Sequence, residues 1–376
     1  MSESRSANAG LARELLRPQF RGMSAYGAPQ LDVPVRLNTN ENAFDLPAVV
    51  VRSIVEAIEA EAVTLNRYPD REFTELRTSL ASYLEQQAGV RLPIEMLWAA
   101  NGSNEVLQHI LMAYGGPDRT ALGFVPSYSM HELISLATGT RWVSGERDEH
   151  FDLAADAAAQ QVREHDPDVV FLCSPNNPTG TAMAPEVIST VLETSRGIVV
   201  VDEAYFEFAR PGTPSALQLL AENPRLIVSR TMSKAFAFAG ARVGYLAADP
   251  AIVDGLRLVR LPYHLSTLTQ AAANAAIAHS DILLSNVAAL KAERDRIVDT
   301  LARWGLEPVP SDSNFVLFGG LDDAQATWQA LLDRGVLIRD VGIPGHLRVN
   351  AGTPEETTAF LDALADALGF DGSLAG

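Results

Sequence analysis

Two hydrophobic rhythms alternate along most of this chain. Stretches such as VVVRSIVEAIEAEAV, EFTELRTSLASYLEQQAG and NEVLQHILMAYG place apolar residues three or four positions apart, the spacing of one face of a helix. Between such stretches come short β-branched runs, clearest in VVFLC (169–173), GIVVVDE (197–203) and LIVSRT (226–231). Each run is nearly all apolar until its C-terminal end, as strands covered by helices on both faces must be. The βα alternation predicts an α/β domain with a mostly parallel central sheet. After residue 280 the pattern changes to a long amphipathic stretch, ILLSNVAALKAERDRIVDTLARWG. NFVLFG, a helix, GVLIRDV, HLRVNAG and a helix from Pro354 follow it, a sequence of elements that predicts a smaller α+β domain. At the other end Pro18, Gly22, Gly27, Pro29 and Pro34 break any long helix and predict an extended arm. The expected organisation is an arm over 1–36, a large α/β domain over 37–280, and a small domain over 281–376 that packs with the arm.

Composition narrows the possible functions. The 376 residues carry 29 Lys+Arg against 47 Asp+Glu, a formal net charge of −18, which disfavours nucleic acid and anionic membrane surfaces as partners. A single cysteine, Cys173, cannot form an internal disulfide, so a reducing cytoplasm is the expected compartment. The start, MSESRSANAG, is polar and lacks the apolar core of a signal peptide, and no run approaches the roughly 20 apolar residues of a membrane span. The seven histidines show no HExxH or HxxxH pairing, so no metal site is expected. Lysine occurs at only two positions, Lys234 and Lys291.

In open α/β sheets ligands bind beyond the carboxyl ends of the strands. Three strand ends here are unusually polar: SPNNPTG follows VVFLC, DEAY follows GIVVV, and TMSKAFAFAGARVG follows LIVSR. Helix-sized segments separate the strands, so Asn177, Asp202, Tyr205 and Lys234 are expected near one another. Taken singly, SPNNPTG is an ordinary turn and Asp202 a helix cap; their joint occurrence points to chemistry. A lysine set among Ala, Phe and Gly is partly desolvated, which favours the neutral amine that forms Schiff bases. An aspartate holding a proton on a pyridine nitrogen makes that ring an electron sink. A tyrosine hydroxyl and an asparagine amide hydrogen-bond a phenolic oxygen beside the imine. Together these groups match pyridoxal phosphate. Lys291, within LKAERDR, reads as a residue of a charged helix face. The phosphate needs a cradle, and NGSNEVLQHIL opens a helix on Gly102, Ser103 and Asn104. The same segment also reads as a capping box with Ser103 as the cap. Arg242 in AGARVG offers a bidentate donor, and Gly240 and Gly244 permit close backbone approach.

SPNNPTG, VDEAYFEF and SRTMSKAFAFAGARVGYL resemble the class I/II aminotransferases of the aspartate-aminotransferase-like superfamily, the fold type I pyridoxal-phosphate enzymes. RLNTNEN, LNRYPD, NGSNE, FVPSYSM, VRLPYHLS, PSDSNFVLF and IRDVGIPGHLRV resemble the histidinol-phosphate branch of that family, especially its actinobacterial form. The resemblance runs from about residue 11 to about residue 365. It implies transamination between histidinol phosphate and 2-oxoglutarate, with an aromatic-amino-acid aminotransferase of broader specificity as the alternative. Residue by residue, it implies that Lys234 carries the Schiff base and shuttles the proton. Asp202 partners the pyridine nitrogen, Asn177 and Tyr205 the phenolic oxygen, and Tyr128 stacks on the ring. Ser103, Asn104, Thr231, Ser233 and Arg242 fall where the family binds the phosphate. Tyr68 matches a tyrosine that reaches the phosphate from the neighbouring subunit, which implies a homodimer with shared sites. Arg348 matches the α-carboxylate arginine and Arg339 the one that meets the distal anionic group. The N-terminal motif reads Asn40-Glu41-Asn42 where the family often has an aromatic after Asn-Glu. That contact is absent or supplied elsewhere, and Tyr26 and Tyr263 are candidates to line the imidazole pocket; Asn40 is counted with them as a substrate-binding residue.

Overall fold

The structure is a computed structural model that describes residues 13–25 and 27–370. Residues 13–25 and 27–31 form a small unit of their own, with a single 3₁₀ turn at Pro18–Phe20 and the Arg21 guanidinium donating to the carbonyls of Leu16 and Glu14. The remainder opens with β1 (Val35–Arg36) and the helix Ala48–Ala62. The strands that follow are β2 (Leu97–Ala100), β3 (Thr120–Val125), β4 (Arg141–Glu146), β5 (Val169–Cys173), β6 (Ile198–Asp202), β7 (Leu226–Thr231) and β8 (Gly244–Ala248). They form one seven-stranded sheet in the order β2-β8-β7-β6-β5-β3-β4. Only β8 runs antiparallel to its neighbours, so the sheet is mostly parallel as expected.

The apolar runs explain the sheet's interior. VVFLC and LIVSRT are strands over their whole expected lengths and are buried at every position. GIVVVDE contributes only Ile198–Asp202; a Cβ at Gly197 would lie 2.3 Å from the Asp168 carbonyl, so glycine is needed where β6 enters against the β5 segment. Helices between the strands bury one stripe each, for example Val187, Ile188, Val191 and Leu192 of Pro185–Thr194.

Beyond the sheet the helix Ser280–Arg303 joins two cores. Leu283, Val287 and Leu290 pack into the core of the large sheet, while Ile297 and Leu301 belong to a second cluster. That second cluster lies on an antiparallel sheet of β9 (Glu307–Pro308), β10 (Phe315–Gly319) and β12 (Leu347–Asn350), in the order β12-β10-β9. A short β11 (Val336–Leu337) pairs in parallel with β1, which ties the start of this unit to its C-terminal part. The last helix, Pro354–Leu368, is specified locally: Thr353 and Glu356 make a capping box, Pro354 stands at its first turn and Gly369 ends it in the left-handed region.

Candidate active site

At the carboxyl end of β6 the chain splits its polar residues between the two faces of the sheet. Asp202 is paired in register with Ser229 of β7, and the Ser229 hydroxyl donates to Asp202 Oδ1 at 3.2 Å. Its other oxygen, Oδ2, lies 3.1 Å from Nε2 of His131, whose ring stacks on Phe171 with centroids 4.7 Å apart. Asp202 and His131 are both buried. The carboxylate is thus oriented from both sides before any ligand arrives.

Lys234 lies beyond the end of β7, with its Nζ donating to the Thr39 carbonyl at 3.3 Å and standing 5.7 Å from the Tyr205 ring centroid. Burial, reinforced by the nearby guanidinium groups of Arg348 and Arg242 and opposed by Glu41, brings its amine down to about 8. About a tenth of it is therefore the neutral, nucleophilic form at pH 7, on the order of a hundredfold more than for an ordinary lysine. The backbone beneath it is held by Asn42, whose amide donates to the carbonyls of Lys234 and Ala235 at 3.4 and 3.3 Å.

The Tyr205 hydroxyl receives hydrogen bonds from Asn40 Nδ2 at 2.8 Å and Asn177 Nδ2 at 3.5 Å. Burial raises its pKa far above the usual value, so it stays a hydroxyl with a proton to give. Asn177 also accepts from Arg348 Nη1 at 2.6 Å, and Arg348 Nη2 donates to the Asn38 carbonyl at 3.1 Å. Arg348 and Arg339 are backbone partners across an antiparallel bridge, with hydrogen bonds of 2.9 Å in both directions, so their side chains share one face. Asn40 adopts a positive φ of 54° and is fixed there by Asn314, whose amide donates to the carbonyls of Asn40 and Glu41.

A cradle for a phosphate group lies at the start of the helix Ser103–Tyr114. Its N-cap is Gly102, at φ 87° and without a side-chain capping bond, so Ser103 is the first helical residue and not the cap. Glu105 instead reaches back to the backbone N–H of Asn101 at 2.6 Å. This leaves the hydroxyl and N–H of Ser103 free of a capping role at the positive end of the helix. A Cβ at Gly102 would stand 2.5 Å from Arg242 Nη2, and one at Gly244 would stand 2.2 Å from the Ser103 nitrogen. Both glycines are required for that approach. Thr231 and Ser233 bond each other at 3.0 Å by their hydroxyls, and Tyr128 donates to Asn104 Oδ1 at 3.0 Å. Glycine-opened backbone, a guanidinium, hydroxyls and a low-pKa amine fit the group that the sequence anticipates: a phosphorylated pyridine aldehyde.

Hydrogen bonds and ring contacts bring together Lys234, Tyr205, Asn177, Asn40 and Arg348 in one cluster. They join Asp202 to His131 and Tyr128 in a second. Tyr68 and Tyr263 stand apart from both clusters, stacked on each other with centroids 4.4 Å apart, 79% and 39% exposed. The chain beside Tyr263 is tied to the start of the cradle, where Asn101 donates to the carbonyl of His264. Tyr26 lies outside the described residues. His131, Ser229, Thr39, Asn42 and Asn314 were not anticipated as site residues. Ser229 was the best signalled of these, as a polar residue inside an apolar run. No group of His, Cys, Asp and Glu suited to a metal ion exists among the described residues.

The pattern of the aminotransferase class I and II family matches residues 33–364. A histidinol-phosphate aminotransferase of Paenarthrobacter aurescens is 60% identical over 94% of this chain and 95% of its own length, and that of Thermobifida fusca is 58% identical over 94% and 95%. Among solved structures, a histidinol-phosphate aminotransferase from Sinorhizobium meliloti in complex with pyridoxal-5'-phosphate has the same fold. Its TM-score is 0.83 at 24% identity, covering 94% of this chain and 97% of that one. Residue match, fold and the arrangement of lysine, aspartate and glycine cradle agree: the chain belongs to the class I and II aminotransferases.

Proposed function

We propose that the protein transfers an amino group between L-histidinol phosphate and 2-oxoglutarate, giving imidazole acetol phosphate and L-glutamate in histidine biosynthesis, with pyridoxal 5'-phosphate as cofactor. The observation that carries the reading is the Lys234 amine, lowered to about 8 and placed beside Tyr205, Asn177 and Arg348 in a protein 60% identical to a histidinol-phosphate aminotransferase. When bound, the cofactor supplies a pyridine ring that accepts the electrons released at the substrate Cα.

The rest is the work of this chain's residues. Lys234 holds the cofactor as nucleophile, and its Nζ then moves the proton to and from the substrate carbon. Asp202, oriented by Ser229 and His131, keeps a proton on the pyridine nitrogen. Tyr205 and Asn177 serve the phenolic oxygen, and Tyr128 covers the ring. Gly102, Ser103, Asn104, Thr231, Ser233 and Arg242 take the phosphate. Arg348 takes the α-carboxylate of glutamate, and Arg339, on the same face, takes the distal anion that glutamate and histidinol phosphate both carry. Asn40 and Tyr263 complete the substrate pocket.

The large (37–280) and small (281–376) domains meet around this site. The exposed apolar surface supports a homodimer. Val55, Val63, Leu65, Leu258 and Leu261 are exposed, as is the Tyr68–Tyr263 stack, and a second subunit would cover them and receive Tyr68 in its own site. The compartment proposed is the cytoplasm; no helix among the described residues is long and apolar enough to cross a membrane.

Steady-state comparison of histidinol phosphate with phenylalanine, each with 2-oxoglutarate, tests the substrate. A kcat/KM preference of about 10²-fold or more for the phosphate ester is expected, because a phenyl substrate brings no distal anion to Arg339. Equal values would instead make the protein a broad aromatic aminotransferase.

A further inference from the structure

Behind the site, on the reverse face of the sheet, lies a buried charge cluster that no step of the proposed reaction uses. Asp202 and Ser229 face the site, so their neighbours Glu203 and Arg230 alternate to the other face. Arg230 is 1% exposed and donates to Glu203 Oε2 through Nε at 3.0 Å and Nη2 at 2.7 Å. Its Nη2 also reaches the Ser215 hydroxyl at 3.0 Å, and its Nη1 lies 3.8 Å from Glu207 Oε1. The guanidinium lies over the Phe206 ring, 4.3 Å from its centroid. Glu203 is further held by Ser215 Oγ and the Ala216 N–H, and Glu207 by the Tyr83 hydroxyl.

The consequence follows from the order of the residues. Glu203, Phe206 and Glu207 flank Tyr205 on both sides, and one guanidinium touches all three. Tyr205 itself turns the other way, toward Asn40, Asn177 and Lys234. A planar fork with fixed donor directions sets the path of the segment 203–207 more tightly than backbone bonds alone, since the segment beyond Glu203 has left the sheet.

We propose that Arg230 is a positioning residue for Tyr205: by gripping Glu203, Phe206 and Glu207 from the reverse face, it fixes the place of the Tyr205 hydroxyl in the site. The proposal rests on the reading above, in which that hydroxyl donates to the cofactor's phenolic oxygen. Such a bond draws electron density from the oxygen and lowers the proton affinity of the chromophore, so its loss raises the pH midpoint of the cofactor's visible absorption.

The test compares holoenzymes carrying Arg230→Met, Arg230→Lys, Phe206→Leu and Tyr205→Phe by titrating that absorption, with crystal structures of the first and third. Arg348, Lys234 and Asp202, the charged groups around Tyr205, are unchanged in all of them. The midpoint is expected to rise by about one pH unit in Arg230→Met, in the direction of Tyr205→Phe. Arg230→Lys, which keeps the charge and loses the fork, is expected to show most of that rise, and Phe206→Leu a smaller one. Combining Arg230→Met with Tyr205→Phe should add nothing to Tyr205→Phe alone, because both act through one bond. In the crystals Tyr205 Oη should have left hydrogen-bonding distance of Asn40 Nδ2. Should Arg230→Met not fold, Arg230→Lys and Phe206→Leu carry the test. A midpoint unmoved in these variants while Tyr205→Phe moves it, or an additive double variant, would overturn the proposal, leaving Arg230 a stabilising residue only. A midpoint unmoved by Tyr205→Phe itself would instead overturn the site reading, whereas the crystal displacement tests the positioning independently of the cofactor.

Discussion

Replacing Lys234 with methionine should make the cofactor-free protein more stable at neutral pH. The lysine amine is pushed down from 10.5 to about 8, chiefly by burial and then by Arg348. The folded state therefore disfavours the charged form, while the unfolded chain holds its proton up to the ordinary value. The resulting penalty on folding is complete below pH 8, shrinks between about 8 and 10.5, and is gone above. A difference of about 2.5 pH units corresponds to about 3 kcal/mol. Methionine keeps the aliphatic stem beside Tyr205 and gives up the bond to the Thr39 carbonyl, worth about 1 kcal/mol. The net gain expected at pH 7 is about 2 kcal/mol, falling close to zero by about pH 9.5 as the wild-type amine loses its proton. Urea denaturation of both proteins at the two pH values reads the difference directly, since all other titrating groups are common to them. A methionine variant no more stable at pH 7, or equally stabilised at both values, would show that the amine is not held in an unfavourable charge state. The explanation of its reactivity would then fail with it.

Two further substitutions test the anion sites. Gly102→Ala places a Cβ 2.5 Å from Arg242 Nη2 at a φ of 87° that alanine resists; cofactor affinity, read by absorbance titration of the cofactor-free protein, should fall about 10-fold or more. Unchanged affinity would remove Gly102 and Arg242 from the phosphate cradle. Arg348→Lys keeps a charge but cannot bond Asn177 and the Asn38 carbonyl while also presenting a fork to a carboxylate; KM for glutamate should rise about 10- to 100-fold with a smaller loss in kcat. A KM unaffected by the change would move the carboxylate site elsewhere.

What could be read from the sequence divides along a physical line. The central strands were legible because burial on both faces forces an apolar run, and Lys234 because a chain with two lysines put one of them among Ala, Phe and Gly. Residues that act within their own strand end, such as Asp202, were legible for the same reason. Those that act across long separations were not. Asn40 and Tyr205 are 165 positions apart, and Asn177 and Arg348 are 171 apart, with no local pattern that announces either pairing. The strand ends marked Tyr205 and Asn177, but the role of Arg348 came from resemblance, and the contacts of all four from the fold. His131 sits on a helix whose periodicity looks like ordinary packing, and Arg230 sits in a strand where its charge reads as a polar end, although it is buried. A buried charge is invisible in sequence unless its partner is also known, and Glu203 is 27 positions away.

Asn177 gives the site a property that neither of its ends has alone. Its amide nitrogen reaches Tyr205 and its amide oxygen accepts from Arg348, so one side chain spans the cofactor side and the carboxylate side. In the absence of substrate Arg348 is already oriented by Asn177 and by the Asn38 carbonyl, which limits the freedom it must lose on binding. An arriving carboxylate sets an anion against the guanidinium where the Asn38 carbonyl is only a neutral acceptor, so the exchange at Nη2 favours substrate. The bond to Asn177 is a neutral acceptor on the far side of the same fork and need not break. If it persists, carboxylate binding pulls on the amide whose other end faces Tyr205. The amino group presented beside Lys234 and the carboxylate held by Arg348 are then registered against each other by a single planar group.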